Sequence, residues 1–477
     1  MAARRFPHLK AVLCGTAVYA GFLLLARLWR LPCVFQWLFG VPCPGCGMTR
    51  AWLSLLHGQL AAAFAYHPLF WTVPLLYGYL LTDGHLLRRV WIDRLLLGLL
   101  LAAFGVLAVS VATFSTSSAE EDTLLNYIVA SYYGLRQSIF FLISPVIIGV
   151  ITYFPYEFIR RRSSLFYFVA CGLLLITLVS NQAQGVKAWT DLIWGYTIQP
   201  SEFVKLACII VVAKYLENNT DPMGDLKGTM RLILLMAIPW GLTLLQGEMG
   251  SVLVMIFVFG VMMFFGGIRI RTLVGILAAG VIALALLYGV IMASGTDNYR
   301  LTRILSFINP ELVDESATYQ VNQSKIAIGS GGLKGVGMFV QGSFSQLDYV
   351  PEDWTDFIFS TIGEAWGFVG CAAVVIVYLL IILRMMYLAR YTADRFGQMV
   401  ILGVMAMLLF HVFENVGMTT GLMPVTGIPL PFLSYGGSNL VTNMGGIGLV
   451  LNVVKNRSIT SMPGLAPQTR IRGKYTK

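Results

Sequence analysis

Residues 358–383 read IFSTIGEAWGFVGCAAVVIVYLLIIL, with a single charge at Glu364. A helix needs about 20 apolar residues to cross a hydrocarbon core about 30 Å thick, so this stretch reads as a membrane span. Eleven similar runs accompany it, near 11–29, 68–87, 95–115, 137–158, 164–180, 199–216, 230–246, 249–267, 272–293, 398–418 and 436–454. The expected fold is therefore all-α: a polytopic integral membrane protein with about 12 transmembrane helices. The composition agrees. Of 477 residues 57% are hydrophobic and 12% charged, against about 25% charged in soluble domains. Mean hydropathy is +0.75. These values exclude a secreted soluble enzyme, a disordered chain, a nucleic-acid binder and a set of soluble domains on one anchor. The first run is not read as a cleaved signal, because Arg27 and Arg30 follow it without a small-residue cleavage pattern.

Charge sets the orientation. With both termini inside, cytoplasmic segments hold 23 of the 33 basic and 7 of the 23 acidic residues, a balance of +16 that leaves −6 elsewhere. The outer side then receives the loop with Cys43, the loop 181–198 and the long extracytoplasmic loop 294–357. That long loop carries aromatics, a glycine-rich stretch and the acids Asp348, Glu352, Asp353 and Asp356. Short amphipathic helices on the outer membrane face are expected there. The basic tail after Asn456 is expected to be a cytoplasmic segment attracted to anionic membrane lipids.

Charges within spans are expensive and call for a functional hypothesis. Glu202 and Lys205 lie three residues apart in QPSEFVKL (199–206), on one helix face. They read either as an ion pair sealing a helix end or as the polar lining of a cavity open to the outer face. His411 and Asn415, four apart, share another face. Glu248, Glu364 and Glu414 are each read as structural when taken singly, although Glu364 follows Asp356 by about two helical turns. Asp356, in PEDWTDFIF (351–359), sits where the outer loop re-enters the membrane. It is either a capping acid at a helix start or a general base at the water–lipid boundary. GSGGLKGVG (329–337) lacks the Lys-Ser/Thr ending of a phosphate loop, and no other nucleotide or His-Glu metal motif is present in the sequence.

Four blocks together resemble one family: QPSEFVKLA (199–207), YQVNQSKIAIGSGGLKGVG (319–337), PEDWTDFIFSTIGEAWGFVG (351–370) and TGIPLPFLSYGGSNL (426–440). They are similar in content, order and spacing to the shape, elongation, division and sporulation (SEDS) family, which includes RodA, FtsW and SpoVE. The resemblance covers residues 91–457 and ten of the spans. It implies a peptidoglycan glycosyltransferase of the bacterial cytoplasmic membrane, acting in cell-wall biogenesis for shape or division. Lipid II would be polymerised on the outer face and undecaprenyl pyrophosphate released. The family aspartate falls on Asp356, as general base. Expected substrate-binding residues are Glu202, Lys205, Lys187, Arg303, Lys325, Glu352, Thr355, Ser434 and Tyr435. Lys205, Lys187, Arg303 and Lys325 are the cations taken as outward-accessible for the pyrophosphate, and a divalent cation is the alternative; the sequence demands no cofactor. A class B penicillin-binding protein is the implied partner. A lipid II flippase or other lipid transporter is the rival reading, disfavoured by a carboxylate at the boundary rather than the midplane. Three positions depart from the family pattern: Trp354 where His is common, Glu248 for Asp and Asn439 for Ser.

Residues 1–90 fall outside that resemblance. CPGCGMTRAW (43–52) with AAAFAYHP (61–68) resembles a two-span module of unknown function known by its Cys-Pro-x-Cys-Gly-x-Thr-Arg motif. Cys43 and Cys46 stand as reduced thiols in a turn, as an outer-side disulfide or redox pair, or as part of a metal site with His57 and His67. Arg50 suits a lipid phosphate. Cys171, Cys208 and Cys371 lie in apolar runs and read as small hydrophobes. The expected domains are 1–90, 91–457 and the tail 458–477.

Overall fold

The computed structural model describes residues 97–114, 128, 131–179, 189–191, 197–219, 226–268 and 315–455. The expected spans 11–29, 68–87 and 272–293 lie outside the described residues, as do Cys43, Cys46, Lys187, Arg303 and the tail.

The described chain is helical apart from one small hairpin. In order it forms α1 (Leu97–Ala112), α2 (Tyr132–Tyr153), α3 (Tyr156–Arg161), α4 (Ser163–Val179), α5 (Pro200–Asn218), α6 (Leu226–Gln246), α7 (Met249–Phe265), α8 (Glu315–Ser330), α9 (Ile358–Arg390), α10 (Arg395–Thr419) and α11 (Gly437–Lys455). The hairpin joins β1 (Thr190–Asp191) to β2 (Thr197–Ile198), antiparallel, with Thr190 opposite Ile198. It delivers the chain to Pro200, whose fixed φ suits the first turn of α5.

Among the described residues four helices are long and apolar enough to cross a membrane: Tyr132–Tyr153, Lys227–Gln246, Ile358–Arg390 and Arg395–Thr419. α10 is the hub. Its most apolar window is 78% buried, against 22% for α2, and α5, α7, α9 and α11 all pack on it. α2 packs on α11 and α1, and its exposed face, with Leu142 at 70% and Val146 at 61%, is what a lipid-facing helix requires. Two spans differ from their expected bounds. The run 137–158 is α2 plus the separate short α3, divided at Phe154 and Pro155. The backbone of residue 154 turns extended because the residue before a proline is pushed out of the helical region. The run 358–383 extends to Arg390 and is broken at Gly367 (φ 60°, ψ −159°).

That break follows from backbone chemistry. Conformations with φ near +60° and extended ψ belong to glycine. At Gly367 the helix loses bonds, and the loop 332–337 replaces them. Val336 and Gly337 donate to the carbonyls of Glu364 and Ala365, while Phe368 and Val369 donate to Gly332 and Leu333. The run 368–390 is about 34 Å long at 1.5 Å per residue, one bilayer crossing by itself.

At the other end of the bundle, polar residues staple helix termini. Arg395 donates to the terminal carbonyls Leu216 O (2.9 Å) and Gly266 O (2.7 Å). Asn452 donates to Ile151 O and Phe154 O at the end of α2. Tyr156 bonds Asp394, which also caps α10 through Gly397 N (2.8 Å). Arg160 and Lys214 both pair with Glu217.

Candidate active site

The starts of α2, α5, α7, α9 and α11 meet at one end of the bundle, where α10 finishes. Direct bonds join them. Gln199 donates through Nε2 to Glu248 Oε1 (2.6 Å), and its backbone N–H donates to Ser438 Oγ (3.0 Å). Gln137 donates to Ser434 O (3.2 Å). Helix N-termini carry partial positive charge, so this end of the bundle favours an anionic ligand.

The turn 351–357 lies in the middle. Asp356 is half-buried, one residue ahead of Phe357, the N-cap of α9. It thus stands just ahead of the first turn of α9. Its backbone carbonyl accepts Asn415 Nδ2 at 2.7 Å, and the same amide donates to Ile428 O at 2.8 Å. Ser434 Oγ donates to Thr355 O (2.6 Å) and accepts from Leu430 N (2.8 Å), while Tyr435 N–H donates to Trp354 O (2.9 Å). Three successive carbonyls, of residues 354, 355 and 356, are thus gripped by α10 and the 428–436 loop. Thr355 Oγ1 donates to Glu352 Oε2 (3.0 Å), and Glu352 is exposed with a positive φ of 59°.

One turn before Asn415 on α10, His411 meets Lys205. Lys205 Nζ lies 2.7 Å from Glu202 Oε1 and 3.0 Å from His411 Nε2. His411 Nδ1 lies 2.7 Å from Met407 O, so Nδ1 donates to that carbonyl and Nε2 accepts from the ammonium. All three side chains are buried. The shared faces expected for Glu202/Lys205 and His411/Asn415 are both present, and α10 brings them together. Lys205, however, is enclosed rather than outward-accessible, because its ammonium is spent on two buried partners. A small, mostly apolar crevice reaches Lys205, walled by Met236, Trp240, Met255, Phe259 and Met262.

At the start of α5 the buried Glu202 Oε2 has no hydrogen-bond partner, and on α11 Asn439 Nδ2 and Asn443 Oδ1 are in the same position. Buried atoms of this kind need water or ligand to satisfy them. Among the described residues no group of three or more His, Cys, Asp or Glu side chains gathers to hold a metal.

One expected site residue has other work. Ser434 is fully buried and engaged in the clamp described above, so it positions the turn rather than facing a ligand. Lys325 is exposed on α8, its stem close to Gly421. Glu364 does not line a face with Asp356. It accepts Phe344 N (2.6 Å), Ser345 N (3.0 Å) and Ser345 Oγ (2.7 Å), tying the outer loop to α9. That loop does contain a helix, α8, but it packs against α9 and α10, and Ser324 Oγ donates to Thr419 O. Asp353 is fully buried, accepts Thr361 Oγ1 at 3.2 Å, and burial holds its carboxyl well above the usual carboxylate range. Arg136 escaped the sequence reading. It lies over Tyr132 at 4.3 Å and hydrogen-bonds Tyr435, beside the Asp356 turn. Its spacing of four and three residues from Tyr132 and Tyr133 was the available signal.

A helical bundle with four membrane-length helices among the described residues and polar side chains gathered at one end defines a multi-pass membrane protein. Residues 93–459 match the FtsW/RodA/SpoVE family, described as cell cycle protein, and the chain belongs to that family. Residues 33–81 match a second family, described as a protein of unknown function, DUF2752. The probable peptidoglycan glycosyltransferase FtsW of Trichlorobacter lovleyi is 33% identical over 375 residues, 78% of this chain and 94% of its own. The peptidoglycan glycosyltransferase MrdB of Escherichia coli K12 is 34% identical over 299 residues, 62% of this chain and 79% of its own. Among solved structures, Rod shape determining protein RodA of Thermus thermophilus superposes with a TM-score of 0.53 at 28% identity, covering 78% of this chain and 99% of that one. A chain from a peptidoglycan synthase complex, described as coordinating polymerization and crosslinking, gives 0.59 at 27% identity, covering 75% and 97%.

Proposed function

We propose that this chain is a peptidoglycan glycosyltransferase that joins lipid II into glycan strands at the outer face of the bacterial cytoplasmic membrane. One observation carries the reading. A single turn of α10 holds both the Glu202–Lys205 pair, through His411, and the Asp356 turn, through Asn415. Two of the blocks that carry the family resemblance, 199–207 and 351–370, are therefore joined through α10. The names of the curated relatives support the same activity.

In the reaction the 4-hydroxyl of one lipid II attacks the anomeric carbon at the reducing end of the growing strand. A C–O bond forms there, the bond to pyrophosphate breaks, and undecaprenyl pyrophosphate leaves with the electron pair. Asp356 takes the proton of the attacking hydroxyl. Inversion requires that base on the face opposite the leaving group. The clamp on three carbonyls fixes where the Asp356 carboxylate stands, which is what positioning contributes to rate. The convergent helix N-termini favour the pyrophosphate charge. The positive-inside count supports the outer side for this end of the bundle, and the similarity to a synthase-complex chain supports work alongside a class B penicillin-binding protein.

The test is lipid II polymerisation by the purified chain and by Asp356→Asn, with and without such a partner. Loss of a positioned base predicts a fall of about 10²–10⁴-fold. Undiminished polymerisation by Asp356→Asn sinks the base assignment. Transport of labelled lipid II across liposomes without any glycan product would replace the proposal by the transporter reading.

A further inference from the structure

Four aromatic rings from three separate segments converge beside Asp356. Tyr132 and Tyr133 open α2, Trp354 lies two residues before Asp356, and Tyr435 follows the clamping Ser434. Trp354 lies nearly parallel to Tyr133, with centroids 5.5 Å apart and an interplanar angle of 14°. Tyr435 stands edge-on to Tyr133 at 5.0 Å and 75°, and Tyr132 does so at 5.3 Å and 79°. Arg136, one turn further along α2, sets its guanidinium over Tyr132 and bonds Tyr435. Trp354, Tyr133 and Tyr435 are half-buried, and Tyr132 is 58% exposed.

Aromatic residues also anchor membrane proteins at the lipid–water boundary, where they are spread in a belt. This cluster is built differently. Its rings pack on one another, and the Tyr435 N–H to Trp354 O bond (2.9 Å) fixes the cluster to the turn that carries Asp356. The face of an aromatic ring is electron-rich, so it attracts the polarised C–H groups on one side of a pyranose. A guanidinium beside it pairs with phosphate. Ring stack and cation together fit a sugar that bears a phosphate.

We propose that Trp354, backed by Tyr133 and Tyr435, is a sugar-stacking platform of this site, and that Arg136 engages the phosphate attached to that sugar. The proposal rests on the function proposed above and names how its substrate is gripped.

The experiment uses the full-length protein in detergent. Steady-state polymerisation of lipid II is measured for wild type, Trp354→Leu and Arg136→Gln. Binding of two probes, lipid II and sugar-free undecaprenyl pyrophosphate, is measured with the same changes in an Asp356→Asn background. Trp354→Leu is expected to raise KM for lipid II about tenfold with kcat within about twofold, to weaken lipid II binding about tenfold, and to leave undecaprenyl pyrophosphate binding unchanged. Arg136→Gln is expected to weaken both probes. Trp354→Phe keeps a ring and most of the affinity. If Trp354→Leu does not fold, Tyr133→Leu removes the backing ring and carries the same direction at about threefold. A Trp354→Leu protein with wild-type KM and lipid II affinity, or one that loses both probes equally, overturns the platform while the polymerase reading stands. A wild-type protein that neither binds nor polymerises lipid II overturns both.

Discussion

Replacing Lys205 by Met tests whether the buried pair is a stabiliser. In the native protein the Lys205 ammonium lies 2.7 Å from Glu202 Oε1 and 3.0 Å from His411 Nε2, and both charged side chains are 2% exposed. Lys205→Met leaves the Glu202 carboxylate enclosed, with Oε2 already lacking a partner. Stranding one member of a buried pair costs about 3–5 kcal/mol, whereas replacing both members by neutral groups of similar volume is close to neutral. Glu202→Gln/Lys205→Met should therefore recover most of the loss, giving a coupling of about 3 kcal/mol or more in a double-mutant cycle. Thermal unfolding of the detergent-solubilised protein, followed by size-exclusion chromatography, reads all four variants. The single Lys205→Met variant should have the lowest midpoint and the double variant one near wild type. A Lys205→Met protein as stable as wild type, or a double variant no better than the single, refutes the reasoning.

Other outcomes follow from the same contacts. Glu364→Ala strands two backbone N–H groups of the outer loop; it should cost about 2–4 kcal/mol and increase proteolytic cleavage within 338–350, and an unchanged cleavage pattern would count against the tether. Asp353 has a folded-state pKa raised by burial, so the folded protein binds more protons than the unfolded one above the usual carboxylate pKa, and stability falls as pH rises through that window. Asp353→Asn should raise the thermal midpoint at pH 7.5 and flatten its slope between pH 5 and 8, which thermal scans across that range check. A Cβ at Gly367 would lie 2.3 Å from Gly335 N, on a backbone with φ of 60°; Gly172 has open space around its Cβ position. Gly367→Ala should lower folded yield sharply while Gly172→Ala does not, as measured by fluorescence-detected chromatography.

The parts of this fold that depend on neighbours in sequence could be read from it. Spans are long apolar runs, and Glu202 with Lys205, or His411 with Asn415, meet a helix face by spacing alone. Contacts that join distant segments could not be read. Lys205 and His411 are 206 residues apart, and no local pattern shows that the ammonium is consumed there. Ser434 looked like a ligand-facing hydroxyl because its role depends on a carbonyl 79 residues away. Gly367 sits in an apolar run where glycine is common in membrane helices, so its backbone angle left no trace in composition. Asp356 stood out through its motif, but its place ahead of the cap depended on where the α9 helix begins, the least legible property of a helix in sequence.

The break at Gly367 settles how displacement passes through the protein. Residues 358–366 are bonded to the preceding loop through Val336, Gly337 and the Glu364 anchor, while Phe368 and Val369, at the head of the long rod, are bonded to Gly332 and Leu333 of the same loop. Mechanically, that short helical piece is part of the loop. A load borne by the segment 332–345 is therefore divided at Gly367, one part passing to the helix start behind the Asp356 turn and the other to the head of the rod.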